Sequence, residues 1–234
     1  MTELLYQTDS YLRDFEALVT AVSPDDAAIA LDRTAFYPGG GGQPCDLGTL
    51  DGLAVTKVRK AGDQVWHHIV GGLPPQGQRV HGSIDWERRH KLMRTHTALH
   101  VLCGTVFRDY GALVTGGDME PLAGRMDFEF ERLQKELVNV IEAAVNREVA
   151  AAREVRVQIL PREQAFQIPD LIRTKINLLP EGIQQVRTVE IVGLDLQADG
   201  GTHVRNTAEV GHVRVADYKS KGAINKRLYI EITD

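Results

Sequence analysis

Two histidines, His96 and His100, lie four residues apart in the segment RTHTALH. In an α-helix, residues i and i+4 share a face, so both imidazole rings can reach one metal ion. Zinc accepts histidine nitrogen at about 2.0–2.1 Å, and two such ligands are half of a tetrahedral site. No glutamate stands between them, as it would in the H-E-x-x-H motif of zinc proteases. The alternative is that one histidine packs in the core and the other faces solvent.

A second polar segment, DLQADGGTHV, directly follows a predicted strand. Within it, Asp199 and His203 could supply an oxygen and a nitrogen ligand to a metal site. Gly200 and Gly201 permit a tight turn between them, and these glycines and Thr202 are candidate substrate-binding residues. The alternative is an ordinary Asx–Gly turn whose histidine faces solvent.

A glycine-rich loop occupies the segment TAFYPGGGGQPCDLG near the N-terminus. No Gly-Lys-Ser/Thr follows the glycines, which excludes a P-loop, and no helix is predicted after them, which excludes a dinucleotide fingerprint. Backbone at Gly41 and Gly42 can approach a ligand closely, and Thr34 and Gln43 bring polar side chains to the same loop. The alternative is a flexible hairpin connection.

Basic residues form two groups in the sequence. Such groups usually lie on the solvated surface, but they could also contact nucleic-acid phosphates. The first group flanks the histidine pair and consists of Arg88, Arg89, Lys91 and Arg94. The second group lies near the C-terminus and consists of Lys219, Lys221, Lys226 and Arg227.

Composition narrows the class of protein. The 234 residues carry 27 Lys and Arg against 32 Asp and Glu, a formal net charge of −5. This excludes a protein that coats nucleic acid by bulk positive charge. Two cysteines, Cys45 and Cys103, do not make a disulfide scaffold and fit a reducing compartment. With no secretory signal and no run of the roughly 20 apolar residues that a membrane helix needs, we predict a cytoplasmic protein without a membrane partner.

The pattern of predicted helices and strands that must position these residues indicates an α+β fold. Short β-branched runs separated by turn signals dominate residues 1–82 and predict a small β-barrel. Residues 83–234 begin with a predicted helix over 86–111, which carries the histidine pair, and continue with an amphipathic helix over 131–155. Strands are predicted to follow at 155–160, 184–192, 209–218 and 227–232. Because the helices are segregated from the later strands, we expect two domains, 1–82 and 83–234, and no doubly wound sheet.

Along the chain the three segments follow in the order TAFYPGGGGQPCDLG, RTHTALH and DLQADGGTHV. In this order and spacing they resemble the AlaX-type alanyl-tRNA editing proteins of medium length, which are free-standing relatives of the editing domain of alanyl-tRNA synthetase. The resemblance covers nearly the whole chain, and the C-terminal SKGAINKRLYIEI is similar to the family's closing strand. It implies a translation-factor-like, glycine-rich barrel in 1–82. It also implies a two-layer α/β editing domain with an antiparallel sheet in 83–234.

The resemblance also implies one zinc ion per chain, held in the family by H-x-x-x-H and C-x-x-x-H. Here His96, His100 and His203 match, and Asp199 stands where the family usually has cysteine. A carboxylate can bind zinc at about 2.0–2.2 Å, but it is harder than thiolate and weakens the preference for zinc over other divalent ions. Cys103, one turn beyond His100, is the alternative fourth ligand, unless it is a buried core residue.

The implied activity is hydrolysis of the ester that joins serine, and sometimes glycine, to tRNA-Ala. The partner is then the tRNA acceptor end, no DNA partner is expected, and the sequence predicts no oligomeric state. A synthetase pocket for alanine cannot strongly exclude glycine and rejects serine imperfectly, so a second hydrolytic site is needed. By its match to the family, Thr34 is expected to contact the serine hydroxyl, with Gln43 beside it. The alternatives are a Ser-tRNA-Thr deacylase, another metal-dependent ester or amide hydrolase, and a non-catalytic tRNA-binding module.

Overall fold

Strands and a few helices make up the described part of the chain. The computed structural model describes residues 1–130, 134–173 and 182–234. The strands are β1 (Glu3–Leu4), β2 (Asp14–Ser23), β3 (Ala28–Leu31), β4 (Arg33–Thr34), β5 (Gly48–Leu50), β6 (Leu53–Ala61), β7 (Gln64–Ile69), β8 (Arg79–Ile84), β9 (Val114–Glu120), β10 (Ala123–Glu129), β11 (Val155–Pro161), β12 (Gln185–Ile191), β13 (Asp195–Ala198), β14 (His212–Ser220) and β15 (Asn225–Thr233). The helices are α1 (Trp86–Tyr110), α2 (Lys135–Ala150), α3 (Arg162–Ala165) and two 3-10 turns, Leu5–Gln7 and Thr207–Glu209. The predicted α+β class is confirmed, and residues 131–133 of the predicted second helix lie outside the described residues.

Two units divide the chain: unit 1 is Met1–Lys91 and unit 2 is Leu92–Asp234. The sequence predicted this division after residue 82. The structural division falls later because β8 continues to Ile84 and because Arg89, in the first turns of α1, is bonded inside unit 1.

In unit 1, six strands pair in the order β2-β3-β7-β6-β5-β8, and β8 pairs again with β2, which closes the barrel. All six pairings are antiparallel. Side chains alternate along β7, where Val65, His67 and Ile69 point to the core. The backbone of β8 must approach the core closely, because a Cβ at Gly82 would lie 2.4 Å from the ring of Phe15. The short strands β1 and β4 form a separate parallel pair.

A buried ion pair holds the start of α1 inside unit 1. The side chain of Arg89 is fully buried, and its Nε lies 2.9 Å from both carboxylate oxygens of Asp46. Its other nitrogens donate to the carbonyl oxygens of Ser10 and Ala35 at 3.0 and 2.5 Å. Because this guanidinium is inaccessible and bonded on all sides, the prediction that Arg89 contacts tRNA phosphates is wrong.

Unit 2 contains most of α1, all of α2 and two antiparallel sheets with the strand orders β14-β15-β10-β9 and β11-β12-β13. Helix α1 ends where the sequence predicted: Gly111 has a φ of +65°, and its N–H donates to the carbonyl of Phe107 at 2.8 Å. Asn146 of α2 bonds both the N–H and the carbonyl of Val213, which fixes the helix on strand β14. None of the described helices is long and apolar enough to cross a membrane.

Candidate metal centre

Four side chains of unit 2 converge, and all four were predicted from the sequence. This metal-ligand cluster consists of His96, His100, Asp199 and His203, whose ligand atoms lie within 4.8 Å of one another. The Nε2 atoms of His96 and His203 lie 3.4 and 3.1 Å from the Asp199 carboxylate, and that of His100 lies 4.0 Å away. Two ligands of a tetrahedral zinc ion would be separated by about 3.3 Å, given bond lengths of about 2.0–2.1 Å. The donor set and its spacing therefore fit a single divalent ion.

Two local structures bring these residues together. The first is helix α1, whose i, i+4 spacing places the rings of His96 and His100 5.1 Å apart. The second is the turn after β13, where the N–H of Gly201 donates to Asp199 Oδ2 at 2.7 Å. This turn stacks the ring of His203 on that of His96, with ring centres 4.2 Å apart. Arg187 supports the turn by donating to the Asp199 carbonyl at 2.9 Å.

The outer nitrogens of two histidines each face a polar side chain. Nδ1 of His203 lies 3.1 Å from the hydroxyl of Thr97, and Nδ1 of His100 lies 3.3 Å from Asp195 Oδ2. A ligating histidine commonly uses its second nitrogen in this way, which fixes the tautomer and the orientation of the ring. Nε2 of both rings is therefore the atom turned toward the cluster.

The pKa shifts of three of the four cluster side chains favour the form that binds metal. Burial lowers the pKa of His203 to about 4 and holds that of His96 well below its usual range, so both are neutral at pH 7 with a lone pair to offer. Burial opposes ionisation of Asp199, but the adjacent histidines outweigh it and hold its pKa well below the usual range. Burial alone would also lower the pKa of His100, but the carboxylates of Asp195 and Asp199 raise it.

Cys103 lies outside this cluster. Its side chain is buried, and its sulfur accepts a hydrogen bond from Nε2 of Gln197 at 3.3 Å. Burial raises the pKa of the thiol, as is usual for a cysteine in an apolar core. The structure thus favours the core role for Cys103 and brings Asp199, not Cys103, into the cluster with the three histidines.

Thr34 and Gln43 lie in unit 1, and both are buried. The Thr34 hydroxyl lies 2.8 Å from Nε2 of His67 and accepts the N–H of Phe36 at 3.1 Å. Nδ1 of His67 faces the carbonyl of Ile29 at 3.3 Å and must donate to it, so Nε2 accepts the Thr34 proton. A contact between Thr34 and a substrate hydroxyl would replace one of these bonds, and that contact stays a prediction.

The glycines predicted to bind substrate differ in exposure. Gly41 and Gly42 form the tip of a turn closed by two backbone hydrogen bonds between Gly40 and Gln43, at 3.0 and 2.9 Å. Positive φ values of +58° and +90° at the two tip residues explain why glycine stands there. In unit 2, Gly200 is exposed, whereas Gly201 and Thr202 are buried. Their contact with substrate remains a prediction.

The other predicted tRNA-binding residues differ in how exposed their side chains are and in whether they are already paired. Arg94 is largely buried and donates to the carbonyl of Val210 at 2.9 Å. Lys91 pairs with Glu87, and Arg88 is half-buried. Lys219 and Lys221, by contrast, are exposed on and just after β14. These two lysines are the members of the predicted set best placed to meet solvent-borne phosphate.

Sequence reasoning missed the residues that support the cluster: Thr97, Arg187, Asp195 and Gln197. One signal was present. Asp195 and Gln197 are two residues apart, so on a strand they share one face of it. Arg187 and Thr97 carry no comparable signal, because their partners lie far away in the sequence.

Comparisons with known proteins identify the family. Residues 186–229 match the family described as the threonyl and alanyl tRNA synthetase second additional domain, and residues 5–88 match class II (A) tRNA synthetases. The alanyl-tRNA editing protein AlaX-M of Saccharolobus solfataricus is 37% identical over 241 residues, 99% of each chain. The AlaX-M protein of Methanosarcina acetivorans is 37% identical over 247 residues, the whole of both chains. The alanine–tRNA ligase of Pyrobaculum neutrophilum is 38% identical over 225 residues, which are 92% of this chain and 25% of the ligase. The match to AlaX-M proteins from end to end shows that this chain belongs to the family of AlaX-M alanyl-tRNA editing proteins.

Proposed function

We propose that this protein is a hydrolase that acts in trans on mischarged tRNA-Ala and releases serine and, more slowly, glycine. One observation carries the proposal: three imidazole nitrogens and one carboxylate converge in a chain that belongs to an alanyl-tRNA editing family. Correctly charged Ala-tRNA-Ala should be spared. We also infer that residues 1–82 serve as the translation-factor-like barrel and 83–234 as the editing domain.

We infer that the four cluster residues hold one divalent metal ion, with zinc as the first candidate. When bound, such an ion polarises an ester carbonyl or lowers the pKa of a coordinated water. Asp199 is a harder donor than the cysteine usual at this position, so we expect weaker discrimination between zinc and other divalent ions.

The chain itself supplies a preorganised frame. Thr97 holds His203, Arg187 and Gly201 hold Asp199, and the i, i+4 helix spacing holds the other two histidines. In the reaction, water adds to the ester carbonyl carbon, and the bond from this carbon to the ribose oxygen breaks. The products are the free amino acid and tRNA with its terminal hydroxyl restored. A site ordered before the reaction avoids the cost of reorganising polar groups during it.

Selectivity for serine requires recognition of its hydroxyl. A site built to hydrogen-bond a substrate hydroxyl rejects the analogue that lacks it by a large factor, whereas an apolar pocket discriminates weakly. Thr34 remains our proposed contact, with Gln43 beside it. If so, Thr34→Val reduces the ratio of Ser-tRNA-Ala to Ala-tRNA-Ala cleavage, and an unchanged ratio would exclude the contact.

The direct test is a deacylation panel with purified full-length protein. We would incubate it with Ser-, Gly- and Ala-tRNA-Ala, with Ser-tRNA-Thr and with a free seryl ester. We expect cleavage of Ser-tRNA-Ala first and slower cleavage of Gly-tRNA-Ala. Preferred cleavage of Ser-tRNA-Thr, or of the free ester, would establish one of the other two enzyme classes. Binding of tRNA without cleavage would establish a non-catalytic module.

Matched alanine variants link this activity to the cluster. His203→Ala removes a cluster residue, so we expect it to abolish both deacylation and stoichiometric metal in the purified protein. His212→Ala removes an exposed histidine of β14 outside the cluster and serves as the control. Full deacylation by His203→Ala, or by protein stripped of metal, would remove the cluster from the mechanism.

A further inference from the structure

Asp195 is a buried carboxylate next to the metal-ligand cluster, but it is not one of the ligands. Its side chain has no exposed surface, and it begins strand β13, four residues before Asp199. An ionised carboxylate buried without partners would cost several kcal/mol or more. Its neighbours therefore indicate why the fold retains it.

These neighbours are one imidazole and two donors. Asp195 Oδ2 lies 3.3 Å from Nδ1 of His100 and accepts a hydrogen bond from Nε2 of Gln197 at 2.6 Å. Asp195 Oδ1 lies 3.5 Å from Nε of Arg173. In the part of the chain that the structure describes, Nδ1 of His100 is buried and makes no hydrogen bond, and its 3.3 Å approach to Asp195 is a charge contact. Asp195 is thus the acceptor within reach of that N–H.

Close packing between α1 and β13 produces this contact. Gly104 follows His100 by one helical turn, and a Cβ at position 104 would lie 2.8 Å from the Cβ of Asp195 and 3.1 Å from Cγ of Leu194. Because Gly104 has no side chain, the strand can approach the helix closely enough for Asp195 to reach the His100 ring.

We propose that Asp195 is a positioning residue that fixes the tautomer and orientation of His100, and that Gln197 holds Asp195 in place. The inference rests on the proposed function, because the metal ion that His100 would bind is part of it. A carboxylate that accepts the second N–H of a ligating histidine orients the ring and raises its basicity, and loss of such a partner typically weakens metal binding by about 10–100-fold. Asp195 acts through His100 and touches no substrate.

The two supported histidines are not equivalent. The neutral hydroxyl of Thr97 faces Nδ1 of His203, whereas the carboxylate of Asp195 faces Nδ1 of His100. An ionised carboxylate stabilises a nearby imidazole N–H more than a neutral hydroxyl does. Loss of Asp195 should therefore weaken metal binding more than Thr97→Val does.

The test measures metal binding without tRNA. Metal-stripped wild-type protein and Asp195→Asn would be titrated with Co²⁺ and Zn²⁺ alone, with Co²⁺ absorption as a report of ligand geometry. We expect about 10–100-fold weaker binding and an altered Co²⁺ spectrum in Asp195→Asn, with unchanged circular dichroism. The matched control is Asp127→Asn, which removes the same charge from another largely buried carboxylate of unit 2, one that pairs with Arg227 at 2.6 and 2.7 Å. This control should bind metal as the wild type does.

Three results would overturn the inference: wild-type affinity and spectrum in folded Asp195→Asn, equal weakening by Asp127→Asn, or a wild-type protein that binds neither ion. Should Asp195→Asn fail to fold, Gln197→Leu decides, since it keeps the carboxylate and removes the hydrogen bond that anchors it, together with the weaker bond to Cys103. Weaker metal binding supports the inference, and wild-type binding overturns it. Failure of the proposed function gives a different pattern, in which Asp195→Asn weakens metal binding but the wild type cleaves no aminoacyl-tRNA.

Discussion

His67 makes the stability of unit 1 depend on pH. Its ring is fully buried on β7, with one nitrogen at the carbonyl of Ile29 and the other accepting the Thr34 hydroxyl. Burial lowers its pKa from 6.5 to about 4. A protonated ring would have to donate from both nitrogens, and the Thr34 hydroxyl would lose its acceptor. The folded protein therefore resists a proton that the unfolded chain accepts readily.

The sign and size follow from linkage. Between pH 6.5 and about 4 the unfolded chain binds more protons at His67 than the folded chain does, so the stabilisation present above pH 6.5 is lost as the pH falls. With these two pKa values, the free energy of unfolding falls by about 2 kcal/mol from pH 7 to pH 5, and by about 3 kcal/mol by pH 4. This is a substantial part of the stability of a small domain.

Urea unfolding monitored by tryptophan fluorescence measures the stability of unit 1, which contains His67. The two tryptophans of the sequence, Trp66 and Trp86, both lie in unit 1. His67→Gln should be less stable than the wild type at pH 7 because its hydrogen bonds are disturbed. The difference should shrink by about 2 kcal/mol between pH 7 and pH 5, because the variant has lost the titrating group.

A variant without a change in titration controls for general destabilisation. Val65→Ala removes buried methyl groups two residues away on the same strand, so it should lower stability by the same amount at each pH. If the gap between wild type and His67→Gln stayed constant from pH 7 to pH 5, His67 would not be a buried neutral histidine and the reasoning would be refuted.

The remaining predictions concern the buried ion pair and the tRNA surface. Asp46→Asn leaves the charge of Arg89 buried and uncompensated, so we expect a loss of about 3–5 kcal/mol in the same unfolding assay, and a loss under about 1 kcal/mol would contradict this. Replacing Lys219 and Lys221 with alanine should weaken tRNA binding and reduce the slope of log affinity against log salt by about 0.7–0.9 for each phosphate that the variant no longer neutralises. An unchanged slope would show that these lysines do not touch phosphate.

The ligand set could be predicted because local rules determine most of it. The i, i+4 spacing of His96 and His100 needs only a helix, and that helix was indicated by its apolar stripe and its glycine cap at Gly111. Asp199 and His203 follow a strand within one short turn. The hairpin of β9 and β10 was missed, because Val114–Glu120 contains two glycines and two acids instead of a β-branched run.

Contacts between distant residues could not be predicted in the same way. From the sequence, Arg89 looked like part of a solvated basic run. In the structure its guanidinium is buried, because it is paired with Asp46, 43 positions earlier. Thr34 looked like a polar loop residue, yet its partner His67 lies 33 positions away on β7. In both cases the side-chain type is compatible with a surface or a core position. The partner that the fold brings to it determines which position the residue takes.

The same reasoning bears on aspartate where the family usually has cysteine. Both carboxylates have an arginine 3.5 Å away: Arg187 lies beside the partly buried Asp199, and Arg173 lies beside the buried Asp195. A thiolate and a carboxylate carry the same charge, so Arg187 compensates either one before any metal arrives. What changes is the hardness of the donor and the presence of a second oxygen, which here accepts the Gly201 N–H. In the proposed metal site, aspartate would therefore change which divalent ion is preferred and would keep the charge balance around the ion.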